Sequence, residues 1–173
     1  MITIFVKNCN QISQSFYDSL LLDLQLHQLV CSCSHSACLS IHGYYRRSVK
    51  LPSGTLRLRI CRVKCSECGA THALLPSSLV PYSRISLSDQ QQICSHYENR
   101  KNVCAVCERN PSVDENNVKS VLRNYRLHWR ERLRSLRIPL CPLERLVPSC
   151  FAWYSSQFMQ IHRRANRLFG DTT

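Results

Sequence analysis

Cys65-Ser66-Glu67-Cys68-Gly69 follows Cys31-Ser32-Cys33-Ser34-His35-Ser36-Ala37-Cys38 by about thirty residues, and these two stretches decide the fold. A C-x-x-C turn lets two thiolates reach one metal ion while backbone N–H groups of the turn point at the sulfurs. Two such knuckles at this separation place four thiolates around one Zn²⁺. Cys65 and Cys68 are expected ligands. In the first knuckle Cys31 and Cys33 are expected, with Cys38 in reserve, and His35 and His42 can substitute. The competing reading of Cys65 and Cys68 is a buried or redox pair, but no strand–helix–strand pattern surrounds them.

The residues between the knuckles read as a β-hairpin. Segments 44–51 and 55–63 are strand-like and flank Pro52-Ser53-Gly54, a turn signal. Leu56, Leu58 and Ile60 alternate with Arg57, Arg59 and Cys61, so a period of two sets the aliphatics on one face and the arginines on the other. Arg46, Arg47, Lys50, Arg62 and Lys64 add to a basic surface. Any one of these arginines reads as part of a solvated strand face. Taken together, eight basic residues against Glu67 over residues 30–86 tilt the group towards phosphate contact. A hairpin of this size is marginal alone. A structural zinc supplies roughly 10–16 kcal/mol of apparent binding energy, which in such modules is folding energy.

The chain has 173 residues, with 23 Lys+Arg against 11 Asp+Glu and a formal net charge of +12. That excess favours an anionic partner, most simply nucleic acid, and duplex DNA is the expected one. Twelve cysteines would suit a disulfide scaffold in a shorter secreted chain. Residues 1–10 lack the charged-then-apolar order of a secretion signal. Residues 20–30 are too short and too polar to span a membrane. The expectation is a cytoplasmic protein with reduced, metal-type cysteines. No Gly-rich phosphate loop or G-x-S-x-G is present, and there is no room for a sheet carrying a carboxylate triad. A catalytic role and a small-molecule substrate are therefore not expected.

Residues 1–29 read as a strand (2–6) and a short helix (15–26), with Cys9 and His27 as packing residues. Pro76 and Pro81 punctuate a linker over 76–87. Ser88-Asp89-Gln90-Gln91 then reads as a capping box opening a helix. A second, short helix covers 102–108, with Val103, Val106 and Cys107 on one face, and Arg109-Asn110-Pro111 ends it. Ser112-Val113-Asp114-Glu115 reads as another capping box, opening a long third helix. Val118, Val121, Leu122, Tyr125, Trp129, Leu133 and Leu136 recur there at helical spacing. The opposite face carries Asn116, Asn117, Lys119, Ser120, Arg123, Asn124 and Arg126. Short helix, turn, and a capped helix with an amide-and-basic face form the outline of a helix-turn-helix. Asn pairs bidentately with adenine and Arg with guanine in the major groove, although any basic amphipathic helix shares this outline.

Cys94, His96, Glu98, Cys104 and Cys107 form a second constellation. His96-Tyr97-Glu98 with Cys104-x-x-Cys107 superficially matches a zinc deaminase, but Val103 stands where that pattern needs proline and the gap is too short. A second structural zinc through Cys94, His96, Cys104 and Cys107 is the alternative to small buried residues of a helical core.

His42-Gly43-Tyr44-Tyr45-Arg46, the run 57–68 (RLRICRVKCSEC), Thr71-His72-Ala73-Leu74-Leu75-Pro76 and Pro81-Tyr82-Ser83 resemble an uncharacterised bacterial family of small zinc-ribbon proteins associated with mobile elements. The closing segments 157–161 and 166–169 are similar to that family's tail. The layout also resembles the DNA-binding N-terminal half of insertion-sequence transposases. The resemblance implies zinc at Cys31, Cys33, Cys65 and Cys68, and DNA as partner. The family shows C-P-C-G-H in its first knuckle. Here Ser32 and Ser34 replace the proline and the glycine, which keeps the ligands and bears on the knuckle's rigidity.

The fold class expected is α+β: a zinc-ribbon β-hairpin module followed by a helical helix-turn-helix module. Its segments are an N-terminal extension (1–29), ribbon and linker (30–86), helix-turn-helix (87–138) and an aromatic, basic tail (139–173). The expected function is zinc-stabilised DNA binding, as a recognition or accessory protein of a transposition system without its own catalytic domain. Arg46, Arg47, Arg57, Arg59 and Arg62 would hold phosphates, while Asn116, Asn117, Lys119, Ser120 and Arg123 would enter the major groove. Two alternatives stand beside it. One is an adaptor for a separate transposase subunit, bound through Trp153, Tyr154 and Phe158. The other is an RNA-binding ribbon that stacks bases on Tyr44 and Tyr45.

Overall fold

A computed structural model describes residues 1–7, 12–51 and 54–160. Cys9, the turn residues Pro52 and Ser53, and the tail beyond residue 160 with Arg163, Arg164 and Arg167 lie outside the described residues. The chain divides into two compact units, Met1–Leu79 and the residues from Val80 onward.

The first unit is a four-stranded sheet in the order β1-β4-β3-β2. Its strands are β1 (Ile2–Ile4), β2 (Leu39–Leu51), β3 (Gly54–Cys65) and β4 (Thr71–Pro76). β2 and β3 form the expected antiparallel hairpin, paired from Leu51↔Gly54 to Leu39↔Cys65. A register shift between Ile41 and Gly43 interrupts it, and Gly43 adopts φ +149°, a conformation that bulges reserve for glycine. β4 runs antiparallel to β3, and β1 runs parallel to β4. β4 lies in a segment that carries no strand expectation above. It is buried from Leu74 to Pro76 and needs partners on both sides to satisfy its backbone.

β4 pairs with β3 only over Arg62–Lys64, so the rest of that edge of β3 needs other partners. Helix α1 (Gln14–Asp23) supplies them. The Gln14 side chain bonds the backbone of Arg59 in both directions, accepting from its N–H at 2.7 Å and donating to its carbonyl at 3.5 Å. The fully buried Tyr17 hydroxyl accepts from Cys61 N–H and donates to Leu74 carbonyl, each at 2.9 Å. Burial, more than any other influence, raises its pKa and keeps it a donor. Tyr17→Phe strands two buried backbone groups, so it is expected to cost about 2–4 kcal/mol. Urea unfolding of the metal-loaded protein checks this, and a loss below ~0.5 kcal/mol would refute the bridging role.

β3 does not keep one alternation along its length. Leu58 and Ile60 are buried in its first half, Cys61, Val63 and Cys65 in its second. The buried side thus changes parity at the Ile60–Cys61 step. This corrects the single arginine face expected above: Arg57 and Arg59 are exposed on one face, Arg62 and Lys64 on the other.

The second unit is helical. It contains α2 (Leu87–Arg100), α3 (Val103–Arg109), α4 (Glu115–His128), α5 (Arg130–Ser135) and α6 (Leu143–Tyr154). α2, α3 and α4 pack pairwise. The cap of α2 is Ser86, not Ser88. Its Oγ accepts from Asp89 N–H at 3.1 Å and donates to the Asp89 carboxylate at 2.7 Å. A start at Ser86 makes Leu87 the first helical residue and buries it together with Gln90 and Ile93. α4 likewise begins at Asp114, not Ser112. Val113 and Val118 flank that cap at the positions of a hydrophobic staple, and both are buried. The long third helix is two helices meeting at Trp129, whose φ of −121° leaves the helical region. The expected stripe survives the break: Val118, Val121, Leu122, Tyr125, Trp129 and Leu133 are all buried, while Leu136 at its end is only half-buried.

Glu98 ties α2 to the helices after it. It accepts from Arg130 Nε at 2.6 Å, Arg134 Nη2 at 3.2 Å and the Tyr125 hydroxyl at 3.2 Å. Burial works against its ionisation, but Arg130, with Tyr125 and Arg134, holds its carboxyl below the usual range.

Candidate metal centre

The hairpin register builds the site. Leu39↔Cys65 pairing sets the residues before β2 beside those after β3, and Ser66 N–H extends the ladder to the Cys38 carbonyl at 2.8 Å. Each knuckle closes through backbone bonds. In the first, Ser34 N–H donates to Cys31 carbonyl and Cys31 N–H to His35 carbonyl, both at 2.9 Å. In the second, Gly69 N–H donates to Cys65 carbonyl at 3.1 Å and Cys65 N–H to Ala70 carbonyl at 2.9 Å. Gly69 has φ +69°, the left-handed conformation such a turn requires.

The sulfurs of Cys31, Cys33, Cys65 and Cys68 lie within 4.8 Å of one another. Cys31 and Cys68 are 3.6 Å apart, Cys33 and Cys65 3.7 Å. A tetrahedron with metal–sulfur bonds of about 2.3 Å has edges of about 3.8 Å. A disulfide needs about 2.05 Å, and all four cysteines are free. The cluster can therefore hold a metal ion.

Its protonation agrees with that. The backbone N–H of Cys33 draws the Cys31 thiol down to about 7, and that of Cys68 draws Cys65 down to about 6. Ala70 N–H pulls on Cys68, but burial and the neighbouring sulfurs carry it up to about 12. Cys33 is also raised, against the pull of His35 N–H. Four sulfurs this close do not all ionise without a cation, so two keep protons that a divalent metal would replace.

Two further groups support the cluster from outside it. His72 is buried, and its Nε2 lies 3.2 Å from Cys31 Sγ. Its other ring nitrogen lies 2.7 Å from the Met1 amino nitrogen. Cys38, the reserve ligand, is not one of the four. Its thiol donates to the His35 carbonyl at 3.3 Å, and burial, then Cys65, pushes it up to about 11. Such outer partners orient ligands and tune their basicity. His72 escaped the ligand reading because it stands in β4, four residues past the knuckle. Its cue is the alternation of that strand, which turns His72 inward with Leu74.

His35 and His42 are exposed and outside the cluster. Among the described residues, Cys94, His96, Cys104 and Cys107 are not brought together around a metal position. Cys94 is a fully buried core residue, and His96 Nδ1 faces the Asn110 amide at 3.2 Å.

Ser34, where the resembling family has glycine, takes φ +70°. A side chain there costs roughly 1–2 kcal/mol, partly offset by the extra unfolded-state freedom of glycine. Ser34→Gly is expected to stabilise the first knuckle by about 0.5–1 kcal/mol. Chemical denaturation of the metal-loaded protein measures it, and destabilisation would show that the serine has another role.

The arginines divide. Arg46 pairs with Arg59, and Ser48 with Arg57, so Arg46, Arg57 and Arg59 share one face, and they line a groove with Gln14 and Asp18. Arg59 lies over the Tyr44 ring at 4.7 Å. Arg47 pairs with the buried Leu58 and so belongs to the opposite face. Arg62 donates to Thr71 Oγ1 at 2.8 Å. On α4 the polar residues form two stripes. Asn116, Lys119 and Arg123 are exposed, with Lys119 paired to Glu115 at 2.5 Å. Asn117, half-buried, and Ser120, exposed, line a cleft with residues 80–85. Trp153 is 63% exposed, but Phe158 is fully buried beside Tyr125 and Trp129 and offers no docking surface. No helix among the described residues is long and apolar enough to cross a membrane.

No curated protein and no solved structure matches the chain. Residues 30–115, from the residue before the first knuckle to the opening of α4, match the model of a family described as a domain of unknown function, DUF6431.

Proposed function

We propose that this is a zinc-stabilised DNA-binding protein, a recognition or accessory component of a transposition system. The four-thiolate set favours zinc, a borderline-soft ion common in closed cysteine sites. The zinc would hold the knuckles that anchor the β2–β3 hairpin. Arg46, Arg57 and Arg59 carry the reading: they are exposed on one face, and no carboxylate pairs with them among the described residues. That face would contact phosphates, with Arg62 adding charge from the other side. In the second unit, α3 and α4 with the short turn at 110–114 would act as a helix-turn-helix. Asn116 and Arg123 would lead into the major groove, and Lys119 would join them once released from Glu115. A surface ion pair of that kind holds its partners weakly.

The test is binding of the zinc-loaded protein to random duplex DNA across a salt series, with RNA in parallel. A fall in log K with log salt near −0.9 per phosphate contact is the expected result. Arg57→Ala should weaken all sequences alike and flatten the slope by about 1. Arg123→Ala should cost about 1–3 kcal/mol at the preferred site and relax its sequence preference. Little binding even at low salt would overturn the proposal. Tighter binding of single-stranded RNA would transfer the hairpin face to RNA, with Tyr44 as its exposed aromatic.

A further inference from the structure

The second unit holds a cleft of about 510 Å³ between α4 and residues 80–85. That volume lies within the range of small-molecule sites, about 300–1,000 Å³. Asn117, Ser120 and Asn124 line it from one stripe of α4, with Gln90 from α2. Its floor is apolar, from the buried Val121 and Met159. Among its lining residues there is no carboxylate, and the one cation is Arg84, which has no carboxylate partner among the described residues. At the rim stands Tyr82, 80% exposed and at φ +59°, a conformation aromatic residues rarely adopt. Among the described residues, neither Ser120 nor Asn124 spends its side chain on a hydrogen bond within the protein.

We infer that this cleft takes one unstacked nucleotide. The chemistry is specific to that class. An apolar floor and an exposed aromatic ring suit a planar heterocycle. Neutral amides and a hydroxyl, which both donate and accept, suit the edge of a base, and Asn is the side chain that pairs bidentately with adenine. A single arginine at the mouth suits one phosphate. The inference rests on the nucleic-acid reading above and deepens it: Asn124 and Ser120 turn to an extruded base, with Asn117 joining once its amide leaves the Asp114 carboxylate to which it donates at 2.6 Å, while Asn116, Lys119 and Arg123 remain on the other stripe of α4 for the duplex. Base extrusion into a protein pocket costs least where the strand is already unpaired. The nucleotide can belong to a strand or be free.

The experiment uses the full zinc-loaded chain and two probes. One is an oligonucleotide with a single 2-aminopurine, as single strand and as duplex, whose fluorescence rises when the base leaves its stack. The other is free adenosine monophosphate. Expected are a fluorescence rise on binding the single strand, and affinity losses of about tenfold in both Asn124→Ala and Tyr82→Ala, with an unchanged salt slope. Tyr82 is exposed, so its variant keeps the test valid if Asn124→Ala fails to fold. Oligonucleotide binding with no fluorescence rise, or with both variants at wild-type affinity, overturns the cleft while leaving DNA binding intact. Binding of adenosine monophosphate alone, lost in the two variants, supports the cleft as a free-nucleotide site and removes the DNA reading. Binding of neither probe overturns both.

Discussion

Removing the metal, by chelation or by Cys65→Ser, is expected to unfold Met1–Leu79 while the helices of residues 80–160 persist. The sulfurs are part of that unit's interior: Cys31, Cys38 and Cys65 lie in one buried cluster with Leu39, Val63 and Leu74. β1 has three residues and β4 six, so the sheet has little pairing beyond the hairpin. A structural zinc contributes roughly 10–16 kcal/mol. A whole domain is typically stable by only about 5–15 kcal/mol, so its loss exceeds what the small sheet can bear. Both tryptophans, Trp129 and Trp153, stand in the second unit and report on it alone. Chelation should therefore abolish the strand signal in far-ultraviolet circular dichroism and leave tryptophan emission unchanged. Acid should weaken metal loading, because below a pH of about 6 to 7 Cys31 and Cys65 also take up protons that the metal must displace. An unaltered melting profile after chelation would show that the four sulfurs hold no structural metal.

Trp129→Ala is expected to destabilise the second unit by about 3–5 kcal/mol. The ring is 2% exposed and meets Tyr154 at 5.5 Å and Phe158 at 5.6 Å, both edge to face. Each such pair adds about 0.5–1.5 kcal/mol beyond its area, and the vacated volume cannot refill from a break between two helices. Trp153→Ala removes the same side chain from an exposed site and should stay within about 0.5 kcal/mol. Urea unfolding followed by helical ellipticity compares the two. Similar losses in both would mean that Trp129 is not the keystone of this core.

The cluster of four cysteines, the hairpin and the buried stripe of α4 were legible in the chain because each rests on local spacing. Two knuckles need only a C-x-C and a C-x-x-C at a hairpin's distance. Val118, Val121, Leu122 and Tyr125 announce their face by helical period alone. The cap positions were less legible, since Ser86 and Ser88 each stand three residues before an acceptable partner, Asp89 or Gln91. The burial of Leu87 favours the first.

Other features had no local signature. His72 reaches Cys31 only because β4 folds back beside β3. Gln14 and Tyr17 complete the open edge of β3 from a helix more than forty residues away in sequence. Strand period alone sets Arg57 and Arg59 on one face of β3 and Arg62 and Lys64 on the other, but both pairs stay exposed only because the buried side changes parity at Ile60–Cys61, which follows from what packs on each half of the strand. Phe158 reads as an exposed anchor in sequence and is buried by Tyr125 and Trp129. Asn117 and Asn116 are neighbours in the chain, yet α4 turns one to a cleft and the other to solvent. Spacing sets which residues can share a turn or a stripe. Which of them meet, and which side of a strand or helix is covered, is decided by the through-space burial of apolar surface and the pairing of backbone groups.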